Sequence, residues 1–102
     1  MSGAQIPHNF EFRALQVFVT AAEQGSMTQA AKVLGLTQSG VSQIIAGLET
    51  TVGRQLFDRS MRPILMTKAG QVLYRQSQKI LGDLQNAFVE ATESDSGELP
   101  SL

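Results

Sequence analysis

The sequence predicts a mainly α-helical domain with three short helices, a small two-stranded β-hairpin and a long C-terminal helix. Three observations support this. Apolar residues recur at helical spacing through most of the chain. Gly25, Gly35 and Gly53 punctuate the first three such stretches. The helical period then lapses over residues 56–67, where Arg59, Arg62 and Pro63 cluster, and resumes as a long heptad-like rhythm.

The chain has 102 residues, 42% of them hydrophobic, which suits one domain with a small core that would gain from a partner. It has no Cys, so disulfides and thiolate zinc sites are excluded and a reducing interior is expected. No apolar run approaches the ~20 residues of a membrane span and no signal-peptide pattern opens the chain, so the expected compartment is the cytoplasm, with no membrane partner. The formal charge of −1 conceals a segregation. Residues 26–79 carry seven basic groups and two acids, whereas residues 80–102 carry five acids and no base. A basic middle is suited to facing phosphates.

Residues 1–9 read as a flexible leader, and His8, with no second ligand-type residue near it, reads as solvated. The first helix is expected over 10–24, with Asn9 as N-cap and Phe12, Leu15, Phe18, Val19 and Ala22 as its core stripe. Gly25 ends it. Ser-Met-Thr-Gln at 26–29 fits a capping box, Ser26 capping and Gln29 reaching back. Ala30, Ala31 and Leu34 form the buried side of this second helix, and the paired alanines allow a close helix crossing before Gly35 turns the chain.

The third helix is expected from Gln38 to Val52, capped by Thr37 and ended by Gly53. At about 100° per residue, Val41, Ile45, Leu48 and Val52 share a buried stripe. Ser39, Ser42, Gln43 and Ala46 fall opposite, with Gln38 at the edge. An outer stripe of short hydrogen-bonding side chains without bulky charge suits a surface pressed into a groove of base edges. Gly47 within this helix costs about 1 kcal/mol relative to Ala, and nothing in the sequence explains it.

Over 56–67 two short strands are expected around a turn, with Leu56 and Phe57 facing inward on one arm and Leu65 and Thr67 pairing from the other. Arg59, Arg62 and Pro63 lie at or near the tip, as in a wing beside a helix-turn-helix. The last helix is expected over 68–92. Leu73, Ser77, Ile80, Leu84, Ala87 and Ala91 follow the a/d rhythm, with Tyr74, Leu81 and Phe88 widening the stripe. A helix of about 25 residues is roughly 37 Å long, more than the small globular part can cover. Leu73, Ile80, Leu81, Leu84 and Phe88 are therefore the expected homodimer contacts. Residues 93–102 lack periodicity and read as flexible linker.

Leu15 and Phe18, Gly25-Ser26, Ala30-Ala31 with Leu34, Thr37-Gln38-Ser39, Val41-Ser42, Ile45, Leu48-Glu49, Gly53, Leu56-Phe57, Arg59, Arg62-Pro63, Thr67 and Ala69-Gly70 occur in this order. Together they resemble the N-terminal DNA-binding domain of LysR-type transcriptional regulators, over roughly residues 10–92. The resemblance implies a winged helix-turn-helix over 10–67 and a linker helix over 68–92 that pairs antiparallel with its copy. It also implies a ligand-sensing domain of two α/β lobes and assembly into tetramers in the full-length protein. Gly97-Glu98-Leu99 looks like the approach to that domain, so any small-molecule effector is expected to act outside this chain.

The implied partner is double-stranded DNA with a two-fold symmetric site, the third helix in the major groove and the wing at the minor groove or backbone. The resemblance puts base reading on Gln38, Ser39, Ser42 and Gln43, the wing contact on Arg62, and Thr28 and Lys32 near phosphates. Thr37, Arg59 and Pro63 complete the expected contact set. Many relatives are basic where this chain has Gln43, Ala46 and Gly47, which shifts work onto the wing and shape readout. The residues also admit structural roles: first-turn capping for Gln38 and Ser39, an ion pair with Asp58 or Glu49 for Arg59, and a fold-holding role for Glu49 itself.

The competing reading is a winged helix used for protein contacts, or a dimerisation module, without DNA binding. It would favour an apolar outer stripe on the third helix. Ile44 leans that way, whereas Ser39, Ser42 and Gln43 do not. With no Cys, a single His, no Gly-rich phosphate loop and no facing carboxylate pair, neither an enzyme nor a bound cofactor is expected.

Overall fold

In a computed structural model, residues 6–94 are described. Their element order is α1 (Phe12–Gln24), α2 (Met27–Leu34), α3 (Gln38–Val52), β1 (Phe57–Asp58), β2 (Leu65–Met66) and α4 (Lys68–Glu93). This is the helix-turn-helix with a hairpin wing and a long last helix expected from the sequence. The expected approach to a further domain at 97–99 lies outside the described residues.

Local chemistry fixes most of the boundaries. Gly25, Gly35 and Gly53 adopt left-handed φ of 64°, 69° and 78° and end α1, α2 and α3. Thr37 Oγ1 accepts the Gly40 N–H at 3.0 Å and starts α3 at Gln38. Ser26 Oγ accepts the Gln29 N–H at 3.1 Å. Among the described residues the Gln29 side chain does not reach back, so only half of the capping box forms.

The first helix begins two residues later than expected. Pro7 sets up a turn closed by the Phe10 N–H donating to the Pro7 carbonyl at 3.0 Å. That turn takes up Asn9, and Glu11 occupies the N-cap position without a side-chain hydrogen bond. Phe12 is half exposed rather than core. Leu15 and Phe18 are buried as expected, Val19 and Ala22 only partly, and Val17 and Ala21 are buried in addition. The reason is that α1 packs against α2, α3 and α4 at once, so its buried arc is wider than one stripe.

The core joins Val17, Phe18 and Ala21 to Ala30 and Ala31, to Val41, Ile45 and Leu48, and to Leu56, Phe57 and Ile64 of the wing region. Phe18 and Phe57 meet at 5.4 Å between ring centroids, tilted by 50°. Fully buried aromatics of this kind each contribute about 1.5–3 kcal/mol. Phe57 thus anchors the wing to the helices.

The hairpin pairs Phe57 with Met66 and Asp58 with Leu65, antiparallel. Side chains alternate across a strand, so Phe57 and Met66 face the core and Asp58 and Leu65 face outward. Leu65, expected to pair with the arm of inward-facing Leu56 and Phe57, pairs with Asp58 and is 50% exposed, and its neighbour Ile64 is buried instead. The Ile64 N–H donates to the Gly25 carbonyl at 3.1 Å, tying the wing to the α1–α2 corner.

Thr67 caps α4 by accepting the Gly70 N–H at 3.0 Å. The first half of α4 lies on α1: Leu73 and Tyr74 are half-buried and Ser77 is fully buried, its hydroxyl without a partner. Tyr74 donates to the Glu23 carboxylate at 3.3 Å and accepts from Gln78 at 3.1 Å. Partial burial, and then the facing Glu23 charge, raise the Tyr74 phenol above its ordinary pKa. Farther along, Leu81 is half-buried, while Ile80, Leu84 and Phe88 are 41%, 37% and 69% exposed. No helix among the described residues is long and apolar enough to cross a membrane.

Two glycines separate packing from propensity. A Cβ on Gly70 would be driven into the Leu56 carbonyl, which is backbone and cannot swing away, whereas a Cβ on Gly47 would meet open space. Gly70→Ala should therefore cost at least about 1–3 kcal/mol, as overpacking does, and Gly47→Ala should gain about 0.5–1 kcal/mol. Thermal melts followed by circular dichroism should move in opposite directions for the two variants.

Candidate nucleic-acid interface

Folding brings the start of α2, the outer face of α3 and the wing to one side of the molecule. Thr28, Gln38, Ser42, Arg59 and Arg62 line a shallow cleft of about 200 Å³ there. Ser42 is half-buried in its wall, and Gln38, Ser39 and Gln43 are exposed around it. The polar flank of α3 is thus open to solvent rather than covered by its own chain.

Several of the expected contact residues also hold local structure. Thr37 caps α3, and its Oγ1 lies 3.3 Å from the Ser39 hydroxyl. Pro63 packs against Gly25, where an added Cβ would come within 2.9 Å of its ring. Lys32 is exposed in the last turn of α2, outside the cleft lining. Gln43, next to Ser42 in the chain, is exposed but is not among the residues lining the cleft.

The wing arginines differ from one another. Arg59 donates to Glu49 Oε1 at 3.4 Å, so its pairing role is realised, yet it remains 42% exposed. A pair this exposed contributes little to stability, and Arg59 lines the cleft while making it. Arg62 Nη1 donates to the carbonyls of Arg59 and Met61 at 2.9 and 3.1 Å. These bonds fold its side chain over the tip and leave Nε and Nη2 without partners among the described residues. The sequence did not single out Met61, whose side chain is 45% exposed at the tip between the two arginines.

Asp58 accepts from the Ser60 hydroxyl at 2.6 Å and from the Ser60 N–H at 3.0 Å, which lowers its pKa. It therefore stays ionised and occupied within the turn. Glu49 is likewise committed: its Oε2 accepts the Leu56 N–H at 2.8 Å. Both acids among residues 26–79 are thus engaged by groups of the wing region. Towards the end of α3 the Thr50 and Thr51 hydroxyls donate back to the Ala46 and Gly47 carbonyls at 3.0 and 3.1 Å, and Ala46, Gly47 and Thr50 are exposed.

Comparison with known proteins places this arrangement. Residues 12–71 match the model of a family described as "Bacterial regulatory helix-turn-helix protein, lysR family". The chain belongs to this family. It is 41% identical over 76 residues to the nitrogen assimilation regulatory protein nac of Escherichia coli (strain K12), covering 74% of this chain and 25% of that protein. It is 40% identical over 86 residues to the HTH-type transcriptional regulator GltR of Bacillus subtilis (strain 168), covering 84% of this chain and 29% of that one. The chain spans about a quarter of the length of these relatives.

Solved structures agree with the lysR-family fold. The BenM DNA-binding domain in complex with benA site 1 DNA superposes with a TM-score of 0.83 at 32% identity, covering 87% of this chain and 100% of that one. The CbnR DNA-binding domain in its DNA complex gives 0.76 at 33% identity, with 80% and 94% covered.

Glu49 joins the reading helix to the wing, so its removal should be felt in the fold. Glu49→Ala strands the Leu56 N–H and should cost about 1–3 kcal/mol. Glu49→Gln keeps an acceptor oxygen and should lose less. Urea denaturation of the two variants checks this order.

Proposed function

We propose that this chain is the sequence-specific, double-stranded DNA-binding part of a transcription regulator. Polar, solvent-open side chains on α3 share one cleft with two wing arginines, and that observation carries the reading. Gln38 and Gln43 each offer a carbonyl and an amide, the pair of groups that matches adenine in the major groove. Ser39 and Ser42 are short enough to let the helix approach closely. The first turn of α3 points backbone N–H groups outward, where a phosphate is favoured. Thr28 and Lys32 on α2 extend the phosphate-facing edge, and Arg62 tracks the minor groove or backbone beside it.

The active species in this reading is a dimer joined through α4, which sets two reading helices on a two-fold symmetric site. The exposed Ile80, Leu84 and Phe88 support it. In the longer protein implied by its relatives, a ligand-sensing domain would supply effector response and tetramer assembly. The regulator names of the relatives support a non-enzymatic role, and access to DNA puts that role in the cytoplasm.

The test is fluorescence anisotropy with an operator selected from a random duplex pool and its single-base variants. Arg62→Ala should weaken binding to every sequence and reduce the salt slope by about one. Gln43→Ala should relax preference at one base pair, by about 1–3 kcal/mol of discrimination. Equal losses on all duplexes for Gln43→Ala would remove its reading role. Affinity that ignores salt would return the domain to the class of protein-interaction modules.

A further inference from the structure

The leader lines an apolar groove that shares no lining residue with the cleft. Ile6, Pro7, Phe10 and Phe12 line it together with Leu73 and Ile80 of α4, around a volume of about 520 Å³. The Pro7–Phe10 hydrogen bond shapes the leader wall, and Phe10 meets Phe12 edge-on at 6.2 Å. The family match starts only at residue 12, so this wall lies upstream of it.

The chain itself indicates what fills the groove. Residues 68–80 of α4 carry Lys68, Arg75 and Lys79 and no acid, and residues 81–93 carry Asp83, Glu90 and Glu93 and no base. Two such helices laid parallel set like charges together, whereas laid antiparallel they oppose basic and acidic halves. Reversal about the charge switch, between Ile80 and Leu81, places Leu84 opposite Ser77 and Phe88 opposite Leu73. Phe88 is 69% exposed, and Leu73 lines the groove.

We infer that the groove seats Phe88 of a second copy of this chain, so that the leader clamps the partner helix at each end of the dimer. The inference rests on the dimer reading above and adds the leader to it. Burying an aromatic side chain removes on the order of 150–250 Å² of surface from water, and the symmetry does so twice.

The chain contains no cysteine, which makes cross-linking decisive. Phe10→Cys and Phe88→Cys chains, mixed under reducing conditions and then mildly oxidised, should form a disulfide-linked dimer. Phe88→Cys alone should not, because two copies of residue 88 lie about 22 Å apart along an antiparallel pair, far beyond disulfide reach. A chain carrying Ile6→Ser and Phe10→Ser should keep its far-UV circular dichroism and show a dimer Kd at least tenfold higher by sedimentation equilibrium. Cross-linking of Phe88→Cys with itself, absence of the link in the Phe10→Cys and Phe88→Cys mixture while the wild-type chain sediments as a dimer, or an unchanged Kd in the double variant overturns the clamp and leaves the dimer standing. A wild-type chain that sediments only as a monomer overturns both.

Discussion

The geometry of the domain depends on how one residue, Leu56, is held. Its side chain is fully buried, its N–H is bound by the Glu49 carboxylate at 2.8 Å, and its carbonyl accepts the Thr67 N–H at 3.0 Å. Gly70 leaves the space that this carbonyl occupies. Thr67 also donates its hydroxyl to the Gln55 carbonyl at 2.6 Å while capping α4. The end of α3, the root of the wing and the start of α4 are therefore fastened at one point. A buried N–H or carbonyl left unpaired costs about 1–3 kcal/mol, so none of the three elements can shift alone without loss.

This fastening explains why a domain with so little regular structure outside its helices can present a shaped cleft. The wing has only four strand residues, too few to stand alone in water. It is held by Phe57 against Phe18, by Ile64 bonded to the Gly25 carbonyl, and by Pro63 against Gly25. Arg59 and Arg62 are consequently carried on a rigid base even though their side chains are exposed. The residues that face outward are thereby relieved of packing duties and can be chosen for contact chemistry.

Much of the helical layout was legible in the sequence because its signals are local. Thr37 and Gly53 bracket α3, and Gly25 and Gly35 supply the left-handed turns, all within one turn of the element they limit. The start of α1 was not legible, since Asn9 has the right chemistry for a cap but the Pro7 turn consumes it. Nor was the inward residue of the second wing arm. With two-residue strands there is no alternation to count, and a bond from Ile64 to Gly25, thirty-nine residues earlier in the chain, decides which side chain turns in. The polar face of α3 could be read from its period, but its meeting with Thr28, Arg59 and Arg62 in one cleft is tertiary. Along the sequence that meeting was reachable only through family resemblance.

The two-tone charge of α4 has a consequence for approach as well as for pairing. On the proposed DNA-binding reading, a single chain not yet paired through α4 would have its basic half drawn towards a polyanionic rod and its acidic half pushed away, and so would feel a torque before any contact forms. Random collisions are thereby sorted towards one heading, and fewer encounters are wasted on backward landings. Because salt weakens this field over about a Debye length, the proposed reading has ionic strength set the efficiency of capture as well as the strength of hold.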